Sequence, residues 1–233
     1  MIPPQNKLLR HLTTSEWSEL GPLFVHEKLD RGHVLHQPGE PIRYAHFFEG
    51  GLSSEIALNA DDERIEVGCV GHEGYSGVPI ALGVNSTPHQ SFMEVGGSAF
   101  RIATADLLSA MEAFPRFRTL LLQFAHVFMI QIAATALADG RYNIHQRLAR
   151  WILMCHDRLD GHELPLTHEF LALMLGVRRS SVTDTLHLLE GEGSIKATRG
   201  LIVVRNRHRL ENVAGHSYGV PEAEYKRIMG ADL

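Results

Sequence analysis

The run TLLLQFAHVFMIQIAATALA, Thr119 to Ala138, carries no formally charged residue over 20 positions. A helix of that length and texture either crosses a bilayer or is covered on two sides by protein. Gln123, His126, Gln131 and two threonines interrupt the run and no second such stretch follows, which favours protein cover and no membrane. Pro115 fits the start of a helix over about 116–142. Phe117, Leu120, Phe124, Val127, Gln131, Ala134 and Ala138 recur along it at the three-and-four spacing of a dimer seam, so a homodimer is expected. A helix inside a monomer's core would show the same all-round apolar pattern.

From about Leu20 to Arg101 the texture differs. Stretches such as GHVLHQPGEPIRYAHFFEGG and SSEIALNADDERIEVGCV, broken by Gly and Pro, fit the short strands of a β-sandwich or roll. Ile65, Val67 and Cys69 alternate onto one face, and NADD at 59–62 reads as a hairpin turn. Thr104 is the expected N-cap of a helix through ADLLSAMEAF.

Behind the long helix, IHQRLARWILMCHDR makes an amphipathic helix that buries Leu148, Trp151, Ile152 and Cys155. LTHEFLALMLGVRRSSVTDTLHLLE follows, Leu166 to Glu190. Thr167 caps a first helix whose buried face is Phe170, Leu171 and Met174. Gly176 supplies the left-handed backbone of a tight turn, small Ala172 lets two helices cross closely, and Val182, Leu186 and Leu189 face inward from a second helix over about 179–191. This is the spacing of a helix-turn-helix.

The exposed start of that second helix carries Arg179, Ser180, Thr183 and Asp184. Such an end enters the major groove, where arginine pairs with guanine O6 and N7 and short polar side chains reach bases or phosphates. GSIKATRGLIVVRNRHRL then reads as strand, turn at Arg199–Gly200 and strand, a wing. Arg178, Lys196, Arg199 and Arg205, with Arg207 and Arg209, are the candidate phosphate contacts. A plain helical hairpin followed by a solvated basic strand is the alternative.

Charge agrees with a local polyanion site. The net −5 conceals a gradient: residues 1–140 hold 9 Lys and Arg against 16 Asp and Glu, whereas residues 141–210 hold 11 against 7. Only the rear section has the sign to meet nucleic acid. Two cysteines are too few for a disulfide framework, and MIPPQNKLLRHL does not resemble a signal peptide, so a bacterial-type cytoplasm is the expected address.

With these residues assembled, the chain resembles the Crp–Fnr family of bacterial transcription regulators over nearly its whole length. LTHEFLALMLGVRRSSVTDTLHLLEGEGSI and the wing carry the resemblance most specifically. It implies an α+β architecture: an N-terminal double-stranded β-roll at 1–114 of cyclic-nucleotide-binding type, a dimerisation helix at 115–142, and a C-terminal winged helix-turn-helix at 143–233. It also implies that Arg179, Ser180 and Asp184 are the principal base-reading positions. cAMP-responsive relatives usually have Glu and Arg at the latter two, so a different operator is expected.

The resemblance fails at the nucleotide cassette, EGYSGVPIALGVNSTPHQSF. Val78 stands where the family's ribose-binding Glu belongs, His89-Gln90 where its Arg-Ser belongs, and Ile132 and Ala133 where hydroxyls meet adenine. Neutral histidine does not replace a bidentate arginine on a buried phosphate. A degenerate pocket, not responsive to cAMP, is expected. Its effector is unknown.

No cofactor is expected. An iron–sulfur cluster needs about four cysteine ligands, and haem has only Cys69 near His72 in CVGH to argue for it. A redox-active Cys69 is a third reading without a nearby group to lower its pKa. No nucleophile–base pair, metal motif or phosphate loop marks an enzyme. The expected function is a sequence-specific transcription regulator binding duplex DNA as a homodimer at a pseudo-palindrome, with RNA polymerase and an unidentified small molecule as further partners. The alternative is a ligand-binding or scaffold protein whose helix-turn-helix touches protein.

Overall fold

The computed structural model describes residues 4–61, 63–230 and 233. In chain order the elements are α1 (Thr14–Leu20), β1 (Val25–Leu29), β2 (Val34–His36), β3 (Tyr44–Leu58), β4 (Arg64–Val70), β5 (Tyr75–Ser76), α2 (Val78–Ala81), β6 (Gln90–Ala103), α3 (Thr104–Ala113) and α4 (Pro115–Arg141). There follow α5 (Ile144–Arg158), β7 (Glu163–Leu164), α6 (His168–Leu175), α7 (Arg179–Gly191), β8 (Ile195–Thr198), β9 (Leu201–Val204), α8 (Arg207–Ala214) and α9 (Val220–Met229). Two compact units result, one of residues 1–55 and 70–128, the other of 56–69 and 129–233. The division falls inside α4, between Phe128 and Met129.

The first unit is built on an antiparallel sheet in which β1 and β2 pair with β6, and β6 lies beside β3. Aromatic rings fill its core: Phe47 stacks on Tyr75 at 5.1 Å, Phe117 lies 6.1 Å from Phe47, and Phe124 lies 5.3 Å from Tyr75. Gly74 makes this possible, because a Cβ there would sit 2.0 Å from the Phe124 ring. Buried His46 accepts from the Ser76 hydroxyl at Nδ1 (3.3 Å) and donates from Nε2 to Glu27 (3.2 Å), a pairing that needs only the neutral imidazole. Burial, reinforced by His33 and Arg101, lowers the His46 pKa to about 3. At the start of α3 the cap is Ala103, not Thr104; the Thr104 hydroxyl instead donates to the Ile42 carbonyl at 2.6 Å.

The second unit gathers the outer β3–β4 hairpin with the chain from Met129 onward. The hairpin turn forms as expected at Asn59, whose side-chain oxygen accepts from the Asp61 and Glu63 amides; Asp62 lies outside the described residues. Along β4 Ile65, Val67 and Cys69 share a face, as residues two apart on one strand do, but burial does not follow that face. Glu66 is fully buried while Ile65 and Val67 are half-buried, and Gly68, Cys69 and Val70 are buried in succession. Period-two reasoning identifies the buried side only where the other face is wet, and here both faces carry buried residues. Gln131 reaches the strand from α4: its side-chain amide accepts from the Cys69 N–H at 2.8 Å and donates to the Cys69 carbonyl at 3.1 Å.

Helix α4 carries a correction. Phe117, Leu120, Phe124, Val127 and Gln131, the expected seam, are buried inside the chain itself. About half a turn away at 100° per residue, Leu122, Met129 and Leu137 are 36%, 55% and 57% exposed. The helix is apolar all round, so spacing reveals two faces without saying which one the core takes. The large rings of Phe117 and Phe124 go inward. Among the described residues α4 is also the one helix long and apolar enough to cross a membrane.

Candidate nucleic-acid interface

Local sequence chemistry sets the reading end. Asn143 caps α5 through a reciprocal pair with Gln146, and Leu148, Trp151, Ile152 and Cys155 are buried, as expected. The Thr167 hydroxyl accepts from the Phe170 amide at 3.2 Å and starts α6. Gly176 ends it at φ +60°, and a Cβ there would approach the Ile65 Cδ1 at 3.2 Å. Phe170, Leu171, Met174, Val182, Leu186 and Leu189 are all buried, fixing how α6 and α7 cross. Ala172 is half-buried. The second helix spans Arg179–Gly191, the bounds expected from sequence.

Arg178, Arg179, Ser180 and Asp184 are exposed at and near the start of α7. The Arg179 Nη1 lies 3.0 Å from Glu169 Oε1 of α6. Thr183 is half-buried and committed within the protein: its hydroxyl donates to the Arg179 carbonyl at 3.2 Å and accepts from His168 Nδ1 at 3.0 Å. The first turn of α7 also leaves backbone N–H groups directed outward, where a phosphate can be bound.

The wing forms where expected. β8 and β9 pair with Lys196 opposite Val203 and Thr198 opposite Leu201, and Gly200 makes the turn at φ +75°. β7 adds a third strand. Glu190 of α7 accepts from the Ala197 amide at 2.9 Å, tying wing to helix. Between them lies a groove of about 670 Å³ lined in part by Arg179, Thr183, His187, Thr198 and Arg199. Lys196, Arg199 and Arg205 are exposed. Arg209 donates to the Glu192 carbonyl at 2.8 Å. Arg207 turns inward: it pairs with Asp157 and Glu211, each at 2.8 Å, and donates to the Tyr218 hydroxyl, which in turn donates to Asp157. It is a brace for α8 and not a phosphate contact.

The cassette residues fall in different places. Val78 is the first residue of α2, after Gly77 at φ +83°. His89 Nδ1 is 3.9 Å from Glu55, whose carboxylate also lies 3.3 Å from His36, and the Gln90 amide donates to Gln37 at 3.0 Å. Ile132 and Ala133 belong to the second unit. Cys69 is fully buried, and among the described residues no group of three His, Cys, Asp or Glu side chains could hold a metal ion.

Sequence reasoning missed Glu169, His168 and Glu190, whose roles depend on what lies across the helix turn or on the wing.

Residues 146–213 match the Crp-like helix-turn-helix domain. The structure is similar to FixK2 from Bradyrhizobium japonicum, at 18% identity and a TM-score of 0.70, over 82% of this chain and 98% of that one. It is similar to a CRP-family transcriptional regulator from Thermus thermophilus, at 22% identity and a TM-score of 0.66, over 81% and 96% of the two chains. It is also similar to the c-di-GMP-responsive global regulator CLP of Xanthomonas campestris, at 15% identity and a TM-score of 0.66, over 82% and 99%. At such identities the likeness is one of fold. No curated protein gives a significant sequence match.

Proposed function

We propose that this chain, a Crp-like helix-turn-helix domain carried on the fold of Crp/Fnr transcriptional regulators, reads DNA by sequence as a homodimer. The observation that carries this is the exposed start of α7, with Arg179, Ser180 and Asp184, where Arg179 shares a groove with Arg199 of a wing that also exposes Lys196. The arginine suits a guanine edge, and the wing cations suit phosphates on either side. Two such heads related by a two-fold axis require half-sites about one DNA turn apart, hence a pseudo-palindromic operator. The exposed α4 stripe of Leu122, Met129 and Leu137 supports the pairing of two copies.

The effector, where one acts, is not cAMP in this reading. The positions at Val78 and His89 offer neither a carboxylate for ribose nor a guanidinium for phosphate. A signal received in the first unit would reach the reading heads by changing how the paired α4 helices sit. RNA polymerase is the partner through which a bound regulator would act. Selection of bound duplexes from a random library, followed by affinity measurements across salt concentrations, tests the proposal. Enrichment of a two-fold motif with steeply salt-dependent binding supports it. Absence of any duplex affinity would favour a scaffold role for the helix-turn-helix.

A further inference from the structure

Glu169 stands in the first turn of α6, on the face that would meet a polyanion, with its carboxylate 3.0 Å from the Arg179 guanidinium. An acid here is unexpected, since it repels phosphate and occupies the residue best suited to reading a base. The fold does not depend on it: the two side chains are 64% and 66% exposed, and pairs so placed add little to stability. Buried Phe170, Leu171, Met174, Val182 and Leu186 already fix the two helices. The pair does set where the Arg179 guanidinium rests in this structure, against the Glu169 carboxylate. The His168–Thr183 bond and the Thr183 bond to the Arg179 carbonyl hold the turn that carries it.

The two ligands Arg179 could take are affected differently. A phosphate brings a negative charge toward the Glu169 carboxylate and is opposed by it. A guanine edge is neutral overall, presents only the partial negative charges of O6 and N7, and is opposed far less. We infer that Glu169 is a positioning residue for specificity, which restrains Arg179 from pairing with phosphate more than from pairing with guanine. It thereby widens the gap between operator and other DNA. The inference rests on the DNA-reading role proposed above.

The test uses the full chain as wild type, Glu169→Gln, Arg179→Ala and the double variant, on the selected operator and on an unrelated duplex of equal length. The Gln variant keeps the shape, and an unchanged melting temperature verifies its fold. Glu169→Gln should raise affinity for the unrelated duplex about three- to fivefold more than for the operator. It should also steepen the salt dependence on unrelated DNA by about 0.9 in log–log slope, one added phosphate contact. In the Arg179→Ala background this differential should vanish. An equal gain on both duplexes, a differential that persists without Arg179, or no change at all overturns the inference while leaving a wild-type operator preference intact. A wild type with no operator preference overturns the DNA-reading proposal and this inference with it.

Discussion

The side chain of Gln131 holds both the N–H and the C=O of Cys69, 62 residues away in sequence, as an adjacent strand would. Both backbone groups are buried, so they need such a partner. Gln131→Leu keeps the apolar volume and removes both bonds. It should destabilise the protein by about 2–4 kcal/mol, the cost of two buried backbone groups losing their partner. Urea unfolding of the purified protein measures this, and a change under 1 kcal/mol, on the order of a surface substitution, would remove the proposed role.

The two faces of α4 should respond oppositely to a charge. Met129→Glu and Leu137→Glu lie on the exposed stripe and should abolish the proposed pairing of two copies without altering the circular dichroism spectrum. Phe124→Glu places a charge beside Tyr75, Phe128 and Gly74 and should unfold the first unit, a buried unpaired charge costing several kcal/mol or more. Sedimentation velocity separates the cases. Wild-type behaviour as a monomer at micromolar concentration would sink the dimer.

Arg179→Ala should cost roughly 1–3 kcal/mol per half-site and relax preference at one base pair. Arg199→Ala on the wing should weaken all sequences about equally and reduce the salt slope by about 0.9. Binding to the operator and to its single-base variants distinguishes the two. A uniform loss from Arg179→Ala would mean that α7 does not read bases.

Stability should fall on acidification through the His46 imidazole. Its folded pKa of about 3 lies below the ordinary 6.5, so between these values the unfolded chain binds a proton that the folded one excludes. The unfolding free energy contributed by this group is therefore complete above about pH 6.5 and declines as pH drops toward 3. His46→Gln, which cannot titrate, should flatten the curve over that window. Denaturation midpoints measured from pH 4 to 7 on both proteins check it, parallel curves contradicting the assignment.

Much of the framework of the candidate interface was legible because its determinants are local. Thr167 and Gly176 mark the ends of α6 by capping chemistry, the inward residues recur at helical period, and Gly200 marks the wing turn. Cap and period rules apply within a few residues of where they are read. The parts that escaped depend on distant neighbours. Nothing in the order of residues says that the outer β3–β4 hairpin clusters with the later section, or that Glu66 is covered. The α4 pattern fits two opposite faces equally, and the aromatic core at Phe47 and Tyr75 decides between them. The Arg179–Glu169 pair spans the helix turn, so neither residue announces the other.

The hairpin's membership in the second unit has a consequence for the order of assembly. Residues 56–69 leave the ribosome well before α5 exists, and the chain between them and Met129 belongs to the other unit. The Gln131–Cys69 contact therefore closes a long loop, at an entropy that grows only slowly with its length. Prior folding of residues 70–128 shortens the free part of that loop. Synthesis should thus yield the first unit early and complete the second only when its late helices return to a strand made long before. A fragment beginning at Met129 would lack that strand altogether. It would present Gln131 and the Gly176 turn without their partners Cys69 and Ile65, and should refold poorly alone.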